Sequence, residues 1–369
     1  MGTGDGKVIG TTQIVDHGPA SQKWNLVILS EGYTDTELTK FHSDCTTFVS
    51  TMFATPPYGE LWCGINVYRI DVSSTDSGAK DPVVCGGSGA NPKTYFDASF
   101  CNGGIQRLLE VNNGTVHTVV NAQLPQAHMI MVMVNTTEYG GSGGDVATFS
   151  LAAGAQEIGL HEMGHTAFGF ADEYEYWAGC GSGETGHDKY TGAEPIQPNV
   201  TANANRATNK WRDLVAAATP MPTTSHKNCA QCDPQGNPLP SDTVGAYEGA
   251  FYNHCGAYRP QFTCRMRALG NPYCAVCQRV IRQTIAPFMA SWTFGAATLG
   301  AGQSQRWWFS WPGYPGFEVI GVQPSTPGAE LDWDTPGMQM NPDGSTLYLI
   351  TISNKSAAPI SLEFRGSAV

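Results

Sequence analysis

Residues 150–174 read SLAAGAQEIGLHEMGHTAFGFADEY, and at the centre of this stretch stands His161-Glu162-Met163-Gly164-His165. Ser150 is a candidate N-cap for a helix from Leu151 to about Phe168, with Gly169 as its natural stop. On such a helix, side chains four residues apart lie one above the other on the same face. The imidazoles of His161 and His165 can therefore reach one metal ion, at about 2.0–2.1 Å if the ion is zinc. Glu162 begins its turn beside the first ligand, so its carboxylate can reach a water on the metal without binding the metal itself. Zinc lowers the pKa of such a water to about 7 and polarises a carbonyl. Glu162 is then the candidate general base and acid for amide hydrolysis. Ala152, Ala153, Gly154 and Ala155 make the helix slim and closely packed, and buried imidazoles and carboxylates need partners.

A zinc site needs a third protein ligand. Gly169 can adopt φ > 0 and turn the chain back after the helix, which brings Asp172 or Glu173 toward the metal. Asp172 is the preferred candidate; Glu173 and, from farther off, Glu194, His187, His226 and His254 stay open.

Outward from the motif, Trp24–Ser30, Ile65–Val72 and His128–Val134 read as buried strands. Residues 36–54 have helical spacing, with Phe41, Phe48 and Met52 on related faces, and 104–111 and 274–290 read as further helices. Alternating strands and helices predict an α/β domain with a mixed sheet. The run Tyr139-Gly140-Gly141-Ser142-Gly143-Gly144 breaks the third strand and lets another backbone, such as an extended substrate, come close. From 291 to 369 the pattern changes to short alternating runs between Gly and Pro, the signature of an all-β sandwich. The expected division is thus 1–290 and 291–369, with Trp307, Trp308, Trp311 and Trp333 filling the sandwich core.

Composition narrows the function classes. A net charge of -12 over 369 residues speaks against a nucleic-acid partner, because little is present to neutralise phosphates. The longest apolar run, Met129–Val134, is strand-sized, so no membrane span is expected. No basic region followed by an apolar stretch opens the sequence, so no signal peptide is visible. Eleven cysteines nonetheless suit an oxidising compartment, and an odd count leaves at least one thiol unpaired. Two C-x-x-C pairs, Cys229/Cys232 and Cys274/Cys277, lie too far apart for a compact zinc ribbon. Disulfides from Cys255, Cys264, Cys274 and Cys277 to other loops are the favoured expectation.

The run HEMGHTAFGFADEY (161–174), the loop Ser30-Glu31-Gly32-Tyr33-Thr34 and YGGSGG (139–144) resemble the M64 peptidases, typified by bacterial immunoglobulin A proteases. Glu194-Pro195, Pro198–Thr201, Tyr258-Arg259-Pro260, Cys264-Arg265-Met266 and Cys274–Cys277 match as well, so the likeness spans roughly 10 to 285. It implies a zincin-type, metzincin-like catalytic domain and a zinc-dependent endopeptidase acting on a protein or peptide, secreted or at a bacterial cell surface. It does not imply that immunoglobulin A is the substrate. Gly169 and Asp172 each fall one position later than their metzincin counterparts. By the same likeness Met266 is the candidate methionine beneath the metal, and Tyr258 could donate its hydroxyl to the oxyanion on the attacked carbonyl. Two other readings compete: a surface-binding protein with a non-catalytic zincin domain, and a metal-dependent hydrolase of non-peptide amides.

Overall fold

The computed structural model describes residues 3–177, 180, 188–232, 236–289, 292–310, 318–334, 337–342 and 346–368. Six strands, β1 (Gly6–Val15), β2 (Trp24–Glu31), β3 (Ile65–Ser74), β4 (Met129–Val134), β5 (Gly141–Ser142) and β6 (Ala147–Ser150), form one sheet in the order β1-β3-β2-β4-β6-β5. β2 pairs parallel with β4 from Leu26 opposite Met129 to Glu31 opposite Val134, and β4 runs parallel to β6. All eight residues of β2 are buried, and its apolar run Leu26–Leu29 sits in the middle of a covered sheet. The short β5 closes the edge antiparallel to β6, with Gly141 opposite Phe149 and Ser142 opposite Thr148.

Two long helices pack on this sheet and on each other. Helix α1 (Leu38–Ala54) buries Phe41, Cys45, Phe48, Val49 and Met52, a stripe at helical spacing. Ahead of it, Thr34 and Glu37 cap one another, the Glu37 carboxylate accepting from the Thr34 amide at 2.9 Å. A second helix, α2 (Asn113–Gln123), is capped by Asn112, whose side chain accepts from the Thr115 amide. The third, α3 (Ala155–Phe168), carries the two histidines. Phe48 of α1 meets Phe149 of β6 at 5.2 Å between centroids. Gly159 of α3 faces them, and a Cβ there would lie 2.7 Å from Phe48.

Helix α3 starts four residues later than the sequence pattern predicts. Ser150 is the last residue of β6, and its hydroxyl accepts from the Gly140 amide rather than capping a helix. Gly154, at φ 83°, precedes the first turn instead. Residues 104–111 form no α-helix either: a short 3-10 turn ends at Gly104, Gln106 and Arg107 turn the chain, and beyond them Leu108 bridges Gly141 at the edge of β5 and Glu110 bridges Ser99. A hairpin of β7 (Tyr247–Ala250) and β8 (Asn253–Arg259) follows in the chain, and then helix α4 (Ala275–Ile285).

The chain parts into two compact units, residues 1–13, 26–58 and 67–284 in one and 14–25, 59–66 and 285–369 in the other. In the second unit, β10 (Ser304–Ser310), β12 (Leu331–Trp333), β13 (Gly337–Met340) and β14 (Thr346–Asn354) make one antiparallel sheet. β9 (Trp292–Leu299), β11 (Glu318–Pro324) and β15 (Ile360–Ala368) make another, in the order β11-β15-β9. Leu299, Ile320, Val322, Leu362 and Phe364 from one sheet join Tyr348, Ile350 and Ile352 from the other in one apolar cluster. Trp307 packs against that cluster, and Trp308, the next residue of the strand, faces the opposite way and is exposed; Trp333 is exposed as well. The expectation that the tryptophans fill this core thus holds for Trp307 and fails for Trp308 and Trp333; Trp311 lies outside the described residues. No helix among the described residues is long and apolar enough to cross a membrane.

Candidate metal centre and active site

One turn of α3 sets His161 and His165 side by side, with Nε2 atoms 3.1 Å apart and ring planes at 81°. Behind them Gly169, at φ 64°, ends the helix and reverses the chain, as a left-handed glycine after a helix does. The segment after it returns Asp172, whose Oδ1 lies 3.0 Å from His161 Nε2 and 3.3 Å from His165 Nε2. Each imidazole has its other nitrogen engaged: Nδ1 of His161 donates to the Arg265 carbonyl at 3.0 Å, and Nδ1 of His165 to that of Phe170 at 2.7 Å. That tautomer leaves both Nε2 lone pairs pointing at the same place as Oδ1 of Asp172. Oδ1 is buried and has no hydrogen-bond partner. Three lone pairs aimed at one point repel each other unless a cation sits among them. Tetrahedral coordination at about 2.0–2.1 Å spaces ligand atoms by about 3.3 Å, which this trio matches.

Two close approaches fix the surroundings. Met266 packs against Gly164, between the histidines on the helix: a Cβ at that glycine would lie 2.6 Å from Met266 Sδ. On the other side β5 and the residues after it lie directly on the helix face. A Cβ at Gly141 would meet Glu162 Oε1 at 2.8 Å, and one at Gly143 would meet the Cβ of His165 at 2.3 Å. The glycines of 139–144 thus bring this strand against the Glu162 carboxylate. The outer edge of Gly141 is already taken, its amide by the Arg107 carbonyl and its carbonyl by the Leu109 amide. The cleft over the trio has a volume of about 1020 Å³ and is lined by Glu162, Arg107, Tyr139, Tyr176, Trp177 and Tyr252, among others.

The model of the IgA peptidase M64 family matches residues 12–235 and 233–285 of this chain. The chain belongs to that family. It is therefore a metallopeptidase, a hydrolase of peptide bonds whose substrate is a protein or peptide. No curated protein matches the chain.

In this M64 peptidase, burial lifts the Glu162 carboxyl above its ordinary value, the imidazoles opposing and the Asp172 charge adding to it. Burial also resists charging of His165, but the Asp172 carboxylate prevails and raises its pKa to about 9 when no metal is bound.

The structure separates Asp172 from Glu173: Asp172 joins the histidines, and Glu173 turns to Cys264, Cys274 and Cys277. The distant alternatives are engaged elsewhere. Glu194 accepts from Thr201 and pairs with Lys210, His226 lies 3.4 Å from Glu175, and His254 donates to the Cys229 carbonyl. His187 lies outside the described residues. Tyr258 is not brought to the site. It sits on β8 with its hydroxyl 3.4 Å from Glu248, and it is not among the residues lining the cleft.

Two residues that the motif does not reveal hold the Asp172 segment. Tyr252 donates its hydroxyl to Oδ2 of Asp172. Asn199 is fully buried, accepts from the Ala171 amide and donates to the Ala171 carbonyl, each at 2.8 Å. Its place in Pro198–Thr201, matched only by resemblance, was the available signal. The disulfides are Cys85–Cys101, Cys180–Cys232 and Cys229–Cys255. Cys255 is thus bridged as expected, but Cys264, Cys274 and Cys277 are free thiols, because they face one another and Glu173 rather than another loop.

Proposed function

We propose that this M64 peptidase is a zinc-dependent endopeptidase in which His161, His165 and Asp172 hold the metal and Glu162 is the general base and acid. The observation that carries this is the convergence of two Nε2 atoms and a partnerless buried Oδ1 within 3.0–3.3 Å of one another. Neutral nitrogen and carboxylate donors with this spacing suit zinc. Bound there, zinc would lower the pKa of a water to about 7 and polarise the scissile carbonyl. Arg265 and Phe170 carbonyls keep both histidines in the tautomer that offers Nε2. Glu162, one residue from a ligand and pressed against β5, takes the proton of the attacking water and returns it to the leaving amine. A cleft of about 1020 Å³ is at the top of the range for small-molecule sites and admits an extended peptide.

In this reading residues 1–290 form the zincin-like catalytic domain and 291–369 an accessory β-sandwich. The three disulfides favour a protein that works outside the cytoplasm. The test is chelation and repletion against an unfolded protein substrate with the cut sites mapped. Loss of internal cuts on metal removal, with recovery on adding zinc, is the expected result. Undiminished cleavage by metal-free protein would refute the reading.

A further inference from the structure

Asp172 reaches the imidazoles, and its neighbour Glu173 reaches three cysteines that the peptidase site does not use. Cys264, Cys274 and Cys277 are all free and buried, and one ligand atom from each of them and from Glu173 lies within 4.8 Å of every other. Cys264 Sγ is 3.9 Å from Cys277 Sγ, and Glu173 Oε1 is 3.7 Å from the sulfurs of both Cys274 and Cys277. A tetrahedral zinc with bonds of about 2.3 Å to sulfur spaces its sulfurs by about 3.8 Å. Glu173 is 0% exposed; its Oε1 accepts from Asn199 at 2.9 Å, while its Oε2 is buried with no hydrogen-bond partner. A carboxylate sealed in with an orphan oxygen and three thiols is costly unless a cation joins them.

We propose that Cys264, Cys274, Cys277 and Glu173 form a second, structural zinc site. Its sulfurs are prepared as thiolate ligands. The Cys274 amide donates to Cys264 Sγ at 3.3 Å and the Cys277 amide to Cys274 Sγ at 3.4 Å. Cys274 directly precedes α4 and Cys277 lies in its first turn, where the helix N-terminus favours negative sulfur. Four donors and no open position make a closed site, which is structural rather than catalytic. The other six cysteines are consumed in three disulfides, and three thiols cannot all pair among themselves. A metal holds all three reduced.

This zinc would staple to the start of α4 two segments that position the peptidase site. Glu173 follows Asp172, and its amide donates to the Met266 carbonyl at 2.8 Å. Cys264 precedes Arg265, whose carbonyl fixes His161. That last consequence rests on the proposed peptidase centre; the cysteine site itself does not.

Zinc content and cobalt substitution of the full-length protein test the proposal. Wild type should carry two zinc ions per chain, and Cys277→Ser and the double variant His161→Ala/His165→Ala one each. With cobalt, thiolate-to-metal charge-transfer absorption should appear in wild type and in the histidine variant, and vanish in Cys277→Ser. Thiol titration of wild type, denatured with chelator, should find five thiols, the number of free cysteines, and needs no variant to fold. The proposal is overturned if cobalt-loaded wild type shows no thiolate band, or if only three thiols react because a disulfide occupies the trio. A thiolate band with two metals retained in the histidine variant would instead sink the peptidase centre and leave this site standing.

Discussion

The Tyr252 hydroxyl donates to Oδ2 of Asp172 while Oδ1 of the same carboxylate stands 3.0 Å from His161 Nε2. One oxygen is held so that the other faces the imidazoles. The hairpin tip that carries the tyrosine is itself anchored to this segment. Phe251 and Tyr252 take left-handed backbone angles, φ 54° and 61°, and their amides donate to the carbonyls of Asp172 and Tyr174. Such angles are unusual for aromatic residues and persist where the surroundings enforce them. Tyr252→Phe keeps the ring against Tyr174 and Trp177 and deletes only the hydroxyl. It should weaken metal binding at the histidine site by about 10- to 100-fold, the usual cost of losing a group that orients a ligand. Chelator competition with zinc measures it; unchanged affinity would show that Asp172 needs no such support.

Gly143→Ala probes the close approach of the glycine run to α3. The new methyl would fall 2.3 Å from the His165 Cβ, a contact neither backbone can absorb without moving. Peptide cleavage should be lost. Alanine at the neighbouring Gly144, where nothing lies within 4 Å but φ is 129°, should act only through backbone strain and cost stability. Comparing metal content and melting temperature of the two variants separates the effects.

Tyr258→Phe should leave kcat/KM unchanged, since the hydroxyl faces Glu248 and lies outside the cleft. Steady-state kinetics on a peptide substrate decide this; a large fall in kcat would return Tyr258 to the reaction.

His17, in the second unit, gives a pH signature of stability. Its ring is buried edge-on against Trp62, and Nδ1 donates to the Ile65 carbonyl at 2.7 Å. Burial, assisted by the Lys23 charge, lowers its pKa from 6.5 to about 4. A folded-state value below the unfolded one means that the unfolded chain binds the extra proton. The contribution of neutral His17 is complete above the unfolded pKa and is lost as pH falls toward the folded value. The loss is about 3 kcal/mol by linkage. Denaturant midpoints near about pH 7 and about pH 4.5 should therefore separate more in wild type than in His17→Gln. Parallel shifts would contradict the assignment.

How much of this was legible in the sequence follows from how local each signal is. β2 and β4 carry the unbroken apolar runs Leu26–Leu29 and Met129–Val134, and β3 is dense in apolar residues, as strands buried on both faces are. The approach of His161 to His165 is set within one helical turn, and Gly169 marks where the chain reverses. Residues 104–111 misled because their apolar spacing fits a helix, while the decisive interactions, with Ser99 and Gly141, come from elsewhere in the chain. α2 went unseen because Val116, Val119 and Val120 favour strands locally and are held helical by burial. Tyr252 and the grouping of Glu173 with three cysteines depend on tertiary contacts over 80 to 104 residues, which no spacing rule contains.

The most direct test of the central claim compares Glu162→Gln with wild type for metal content and for cleavage of an unfolded protein. Glutamine keeps the shape of the side chain and cannot accept the water's proton. The account predicts the same metal content per chain and a rate lower by about 10²–10⁴-fold, the usual contribution of a general base. Cleavage by Glu162→Gln at the wild-type rate, with the metal in place, would contradict it.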